Sequence, residues 1–324
     1  MDIYVKKAII HQFSPDDTDL YLADKLLNIT PKIEEYLRKK IERVYSDEAR
    51  TGIFEEDNPF LEMISDDLLE TSVAVANRWK EEFVVSENQK TNDLVFVEFS
   101  KEGVDHFAFL RIALRETLTH LGGEVDNPIK LTQNNLPGFG TGADEALVIN
   151  FQSRKYHLIE KRIKYNGTFL NYFSENLLQA QPKISPKKSI KALEKTAQKI
   201  AESFNTDDFQ FQSKVKSAIF NHIEEENKLS PEKLADDLFD DNLTARLSFI
   251  DQVKEAVPEP VTFEEIDASR QLKKFENQKL SLSNGIELIV PNNVYEDAES
   301  VEFILNENGT YSILIKNIED IQSK

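Results

Sequence analysis

Leu94-Val95-Phe96-Val97-Glu98-Phe99 and the run from Phe107 to Leu114 are two apolar stretches rich in β-branched and aromatic residues. Lys101-Glu102-Gly103 lies between them, and a glycine-bearing turn joining two such runs predicts an antiparallel hairpin. Working outward, Ala146-Leu147-Val148-Ile149-Asn150-Phe151 predicts a further strand. Upstream, Thr30-Pro31 supplies an N-cap followed by proline at the first helical position. Ile33, Tyr36, Leu37, Ile41 and Val44 then share one helical face. Ser65-Asp66-Asp67 caps a second helix whose expected buried stripe is Leu68, Leu69, Val73, Ala76 and Trp79. The N-terminal part therefore mixes helices with antiparallel strands.

Beyond Phe151 the spacing turns helical. Tyr165 to Leu178 carries apolar residues three and four apart, broken only by Asn166-Gly167, and is expected to be helix. Ser185-Pro186 repeats the cap-plus-proline start, with Ile190, Leu193, Ala197, Ile200 and Phe204 as the apolar face. Further helices are expected at Phe209 to Glu226, Pro231 to Phe239 and Leu243 to Val257. Pro258-Glu259-Pro260 ends that run. Asn284-Gly285 and Asn308-Gly309 then mark two hairpins, each flanked by short apolar strands. The fold class is α+β: a mixed N-terminal domain over residues 1–181, then a helical block over 182–324 that ends in a small antiparallel sheet.

Charge is segregated along the chain. The formal net charge is −19, from 39 Lys+Arg and 58 Asp+Glu. Between Arg154 and Lys199, however, eleven basic residues face only Glu160, Glu175 and Glu194, so this segment carries +8 and the remainder −27. So acidic a body repels a polyanion at long range. A local basic stripe binds one inside a Debye length of about 10 Å. The chain has no cysteine, which excludes disulfides, thiolate metal sites and cysteine nucleophiles. Met1 to Lys7 lacks the apolar core of a signal peptide, and no run approaches a membrane span, so a cytoplasmic protein is expected.

Other motifs carry less chemistry. Pro137-Gly138-Phe139-Gly140-Thr141-Gly142-Ala143-Asp144 has neither the Gly-Lys-Ser/Thr ending of a phosphate loop nor a dinucleotide fingerprint, and reads as a flexible connection into the strand at Ala146. Asp144, Glu145, Glu160 and Lys161 could serve as a metal-dependent nuclease set, but the acid-x-Lys arrangement is missing because Glu160 and Lys161 are adjacent. The five histidines have no metal-ligand spacing. Glu224-Glu225-Glu226, Asp236-Asp237 and Asp240-Asp241 read as solvated helix ends, or as a surface for a basic partner.

Several segments together resemble the bacterial nucleoid-associated protein family of the NdpA type. They are His11-Gln12, Glu42 to Ser46, the strand pair from Leu94 to Glu116, Asp144 to Asn150, Leu158 to Lys161, Tyr172-Phe173-Ser174, and Gly285 to Leu288 with Pro291. The resemblance implies a DNA-associated protein of the bacterial nucleoid with no catalytic centre and no cofactor. It supplies no residue-level binding motif. Charge alone places the expected phosphate contacts at Lys161, Arg162, Lys164, Lys183, Lys187, Lys188, Lys191 and Lys195.

The expected function is thus non-enzymatic binding of duplex DNA with little sequence preference. A dimer would double the footprint. The alternative is an interaction factor whose acidic surface engages a basic DNA-processing protein.

Overall fold

The computed structural model describes every residue except 1, 17, 87–88, 121–128, 166, 207, 264 and 323–324. The expected break at Asn166 therefore lies outside the described residues. The chain divides into two compact units, Met1–Ser185 and Pro186–Lys324.

The first unit runs β1 (Ile3–Ser14), β2 (Asp19–Tyr21), α1 (Pro31–Glu42), β3 (Arg50–Ile53), α2 (Pro59–Glu62), α3 (Leu68–Phe83), β4 (Asn92–Lys101) and β5 (Val104–Ala113). It continues with β6 (Arg115–His120), β7 (Ile129–Asn135), β8 (Glu145–Asn150), β9 (Lys155–Ile159), β10 (Ile163–Tyr165) and β11 (Thr168–Leu170). Seven of these strands form one antiparallel sheet in the order β2-β1-β4-β5-β8-β9-β3. The hairpin expected around Lys101-Glu102-Gly103 is its centre, β4 paired with β5.

Successive side chains on a strand point to opposite faces, and here both faces are covered. Leu94, Phe96, Phe107, Phe109, Leu147 and Ile149 pack on one side with Val75, Ala76, Trp79 and Phe83 of α3. Val95, Val97, Phe99, Ala108, Leu110, Ala146 and Val148 pack on the other with Leu37 and Ile41 of α1. Two covered faces explain why β4 and β5 are continuously apolar rather than alternating. Strand β1 needs one adjustment to serve both layers. A bulge between Val5 and Lys7 shifts its parity, so Ile3, Val5 and Ala8 face α1 whereas Ile9 and Phe13 face α3.

Helix starts follow their caps. Thr30 accepts from the Ile33 amide, and Asp67 accepts from the Leu69 amide at 2.9 Å. The stripe of α3 differs from expectation. Leu69 and Val73 are half-buried, and Val75 and Phe83 complete the buried face. Tyr165 to Leu178 is not one helix. Its first part is the β10–β11 hairpin, and its second is a single π-turn, Phe173–Leu177. The apolar spacing is used instead to seat Tyr172, Phe173, Leu177 and Leu178 against the α3 side of the sheet.

The second unit contains α4 (Pro186–Ser203), α5 (Phe209–Glu226), β12 (Lys228–Leu229), α6 (Pro231–Leu238), α7 (Leu243–Ala256), β13 (Val261–Thr262) and α8 (Ser269–Phe275). It closes with β14 (Asn277–Ser281), β15 (Glu287–Pro291), α9 (Asn292–Tyr295), β16 (Val301–Leu305) and β17 (Tyr311–Ile315). Ile190, Leu193, Ala197, Ile219, Leu234, Phe249 and Phe275 are among the buried residues of its core. The closing strands form two separate two-stranded hairpins, β14–β15 and β16–β17. Gly285 and Gly309 turn them with φ of +86° and +78°, the region that excludes most side chains. Gln278 anchors the first hairpin to α5 by donating to the Ser213 carbonyl, the Ser217 hydroxyl and the Asn292 side chain. Phe209 of α5 meets Phe303 and Tyr311 of the second.

Candidate nucleic-acid interface

The basic segment is continuous in sequence and is shared between the two units. Lys161, Arg162, Lys164 and Lys183 belong to the first, and Lys187, Lys188, Lys191 and Lys195 to the second.

In the second unit all four lie on α4 and are exposed. At about 100° per residue, Lys187, Lys191, Lys195, Lys188 and Lys199 span roughly 120° of the helix circumference. Pro186, Ser189, Ile190, Leu193, Ala197, Ile200 and Ala201 are the buried residues of the same helix, on its opposite side. The amphipathic division is therefore strict, and one helix face presents five ammonium groups. Glu194, which lies between the two faces, is engaged by Lys274 at 3.2 Å. Lys199 donates to Gln252 at 3.1 Å.

In the first unit the cations are more constrained. Lys161 pairs with Asp144 at 2.7 Å. Burial alone would raise the Asp144 carboxyl, but Lys161, the Ala113 amide and Arg111 outweigh it and hold this acid below its ordinary value. Arg162 donates to the Phe169 carbonyl across the β10–β11 hairpin at 3.2 Å, and Lys164 is half-buried on β10. The Lys183 side chain is exposed, while its amide donates to the Thr51 carbonyl at 2.8 Å. Arg50 fixes the same segment by donating to the Pro182 carbonyl at 2.9 Å and pairing with Glu160. Burial, outweighing Ser174 and Arg50, raises the Glu160 carboxyl above its ordinary value.

The carboxylates of the nuclease-like set are engaged separately. Glu145 pairs with Arg111 and accepts from the Tyr172 hydroxyl inside the core, Glu160 serves Arg50 and Ser174, and Asp144 serves Lys161 and the Ala113 amide. Among the described residues no group of three or more His, Asp or Glu side chains has the arrangement of a metal site.

The glycine-rich segment is held rather than loose. Lys40, fully buried on α1, donates to the carbonyls of Gly138 at 2.8 Å and Thr141 at 2.5 Å. Tyr36 donates to the Pro137 carbonyl at 3.0 Å, and its ring meets Phe139 edge-on. Burial, then the nearby Arg43 and Arg115, push the Lys40 ammonium down to about 8, against an opposing pull from Asp144. The helical spacing places Lys40 within the stripe of Ile33, Tyr36, Leu37, Ile41 and Val44, a signal that it is turned from water, but nothing local in the sequence names its acceptors. No helix among the described residues is long and apolar enough to cross a membrane.

No curated protein matches the chain. The family described as nucleoid-associated protein YejK matches residues 9–321, nearly the whole length and both units. The chain belongs to this nucleoid-associated protein family.

Proposed function

We propose that the protein binds duplex DNA through phosphate contacts made by the lysine face of α4, without catalysing a reaction on it. The observation that carries this reading is the placement of Lys187, Lys188, Lys191 and Lys195 on one exposed face, opposite the apolar stripe. Lysine ammonium groups act on phosphates as point charges and do not read base edges, so affinity should vary little with sequence. On the first unit, Lys161, Arg162, Lys164 and Lys183 are proposed as a further set of phosphate contacts. Lys161 shares its charge with Asp144 and contributes less than an α4 lysine.

The non-catalytic reading is supported by the separate engagement of Asp144, Glu145 and Glu160, so these three carboxylates do not converge on one site. The test is titration of labelled duplexes of unrelated sequence at about 50 and 200 mM salt, where each neutralised phosphate steepens the dependence. Equal, salt-sensitive affinity for all duplexes supports the reading, and absence of binding at low salt removes it. A second reading, an acidic interaction factor for a basic DNA-processing protein, rests on the −27 outside the stripe. It gains the ground in that second case.

A further inference from the structure

The two closing hairpins lie outside the seven-stranded sheet, as do the β6–β7, β10–β11 and β12–β13 pairs. Each is a sheet of only two strands, which leaves both of its edges unpaired. An isolated two-stranded sheet is marginal in water, and an open apolar edge is a template for another strand. The second hairpin is also the more apolar on its surface. Leu305, Tyr311, Leu314 and Ile315 are exposed, as are Ile318 and Ile321 just beyond, the last at 82%.

The hydrogen-bond pattern says which backbone groups face the open edge. The Asn306 amide donates to the Thr310 carbonyl, and the Lys316 amide donates to the Ser300 carbonyl. These bonds flank the Leu305–Tyr311 and Val301–Ile315 pairs, so those two, and Phe303–Ile313 between them, are the non-hydrogen-bonded pairs of the ladder. The N–H and C=O groups of Tyr311, Ile313 and Ile315 consequently point away from β16, to the free side of β17.

We propose that the free edge of β17 pairs with β17 of a second copy of this chain, antiparallel about a two-fold axis at Ile313, to make a four-stranded sheet. This register joins all the outward groups: Ile313 faces Ile313 of the second copy, and Tyr311 faces its Ile315. Tyr311, Ile313 and Ile315 share one face of that pairing, a favourable apolar and aromatic combination, while Ser312 faces Leu314 on the other.

Charge selects this edge over the other three of the closing hairpins. β17 contains no charged residue, so an acidic chain of net charge −19 meets its copy without local repulsion. The same symmetric pairing of β14 would set Lys279 against Lys279. On β15 the outward position at Pro291 lacks an N–H and the one at Glu287 is charged, and β16 carries Glu302. The exposed apolar side chains of β17 and its extension, Tyr311, Leu314, Ile315, Ile318 and Ile321, offer on the order of 500 Å² per copy, a large part of the ~800 Å² per partner of a standard stable interface. The proposal does not depend on DNA binding.

Sedimentation equilibrium of the full chain from about 1 to 100 μM reads the association directly. The expected result is a dimer that Ile313→Pro weakens by roughly 100-fold, because it removes the central pair of outward amides while the hairpin ladder does not use that N–H. Ile315→Lys keeps every backbone group and is expected to weaken the dimer as well, so a variant that misfolds does not decide the matter. Ile289→Lys, on the other hairpin, is expected to leave it intact. The chain has no cysteine, so Ile313→Cys should form a disulfide between copies across a hydrogen-bonded pair of ~5.5 Å Cα separation. Tyr311→Cys and Ile315→Cys should cross-link only when the two variants are mixed. A wild-type chain that stays monomeric at 100 μM, a dimer indifferent to both Ile313→Pro and Ile315→Lys, or strongest cross-linking at Leu314→Cys would overturn the proposal.

Discussion

Arg111 and Glu145 are direct cross-strand partners at the centre of the sheet, and their ion pair closes at 2.6 Å with almost no exposure to water. Around it, Tyr172 donates to Glu145, the Trp79 indole donates to the Tyr172 oxygen at 2.9 Å, and Arg111 reaches Asn92 at 2.9 Å. The pair thus ties β5 and β8 to α3 and to the π-turn. Removing two charges from water costs several kcal/mol per ion, so the geometry of this network decides whether it is neutral or favourable.

Deleting one member is therefore expected to cost more than deleting both. Arg111→Met leaves Glu145 charged and buried, for a loss of about 3–5 kcal/mol of unfolding free energy. Arg111→Met combined with Glu145→Leu should recover much of that loss. Urea denaturation of the three chains checks it, and additive losses would mean the two residues do not act as a pair.

Where structure is local, the residues announced it. Thr30 and Asp67 cap the helices they precede, and Asn284-Gly285 and Asn308-Gly309 turn their hairpins, because each signal acts within four residues. The lysine face of α4 was legible for the same reason, as the complement of an apolar stripe. Strand β1 was not, since its bulge breaks the period of two that identifies a strand. The Lys40 cage was hidden because its acceptors lie 97 to 101 positions away. Segments that carry the family resemblance supply much of the buried polar wiring: His11 meets Ser72 at 2.9 Å, Glu145 meets Tyr172, and Glu160 meets Ser174.

Lys40 should leave a signature in the alkaline range. Its ammonium titrates near 8 in the folded chain, below the value of about 10.4 for an unfolded one. Between those values the unfolded chain holds a proton that the folded chain has released, so this residue's contribution to stability rises with pH there. Unfolding free energies of the wild type and Lys40→Met, compared from pH 7.5 to about 10.5, should move in favour of the wild type. A constant difference would contradict the assignment.

Gly52 sits where a side chain has no room. A Cβ there would lie within 2.3 Å of the Tyr156 hydroxyl, and Tyr156 is itself buried. Gly52→Ala is expected to cost about 1–3 kcal/mol through forced displacement of that ring, and thermal unfolding should read it. Gly140→Ala, which meets nothing within 4 Å, should change stability far less.

Arg50 holds the end of the first unit by its bonds to Pro182 and to Glu160. Arg50→Ala should release this segment, and tryptic cleavage after Lys183 should accelerate several-fold as the local opening free energy falls. An unchanged cleavage rate would show that the Lys183 amide bond to Thr51 suffices.

The account rests most heavily on the lysine face of α4. Lys187, Lys188, Lys191 and Lys195 are exposed and clear of the core, so replacing all four by glutamate tests the charge without disturbing the fold. Fluorescence anisotropy of a labelled duplex, read at about 50 and 200 mM salt, should show weaker binding and a slope reduced by as many as four contacts. Affinity and slope equal to those of the wild type would contradict it.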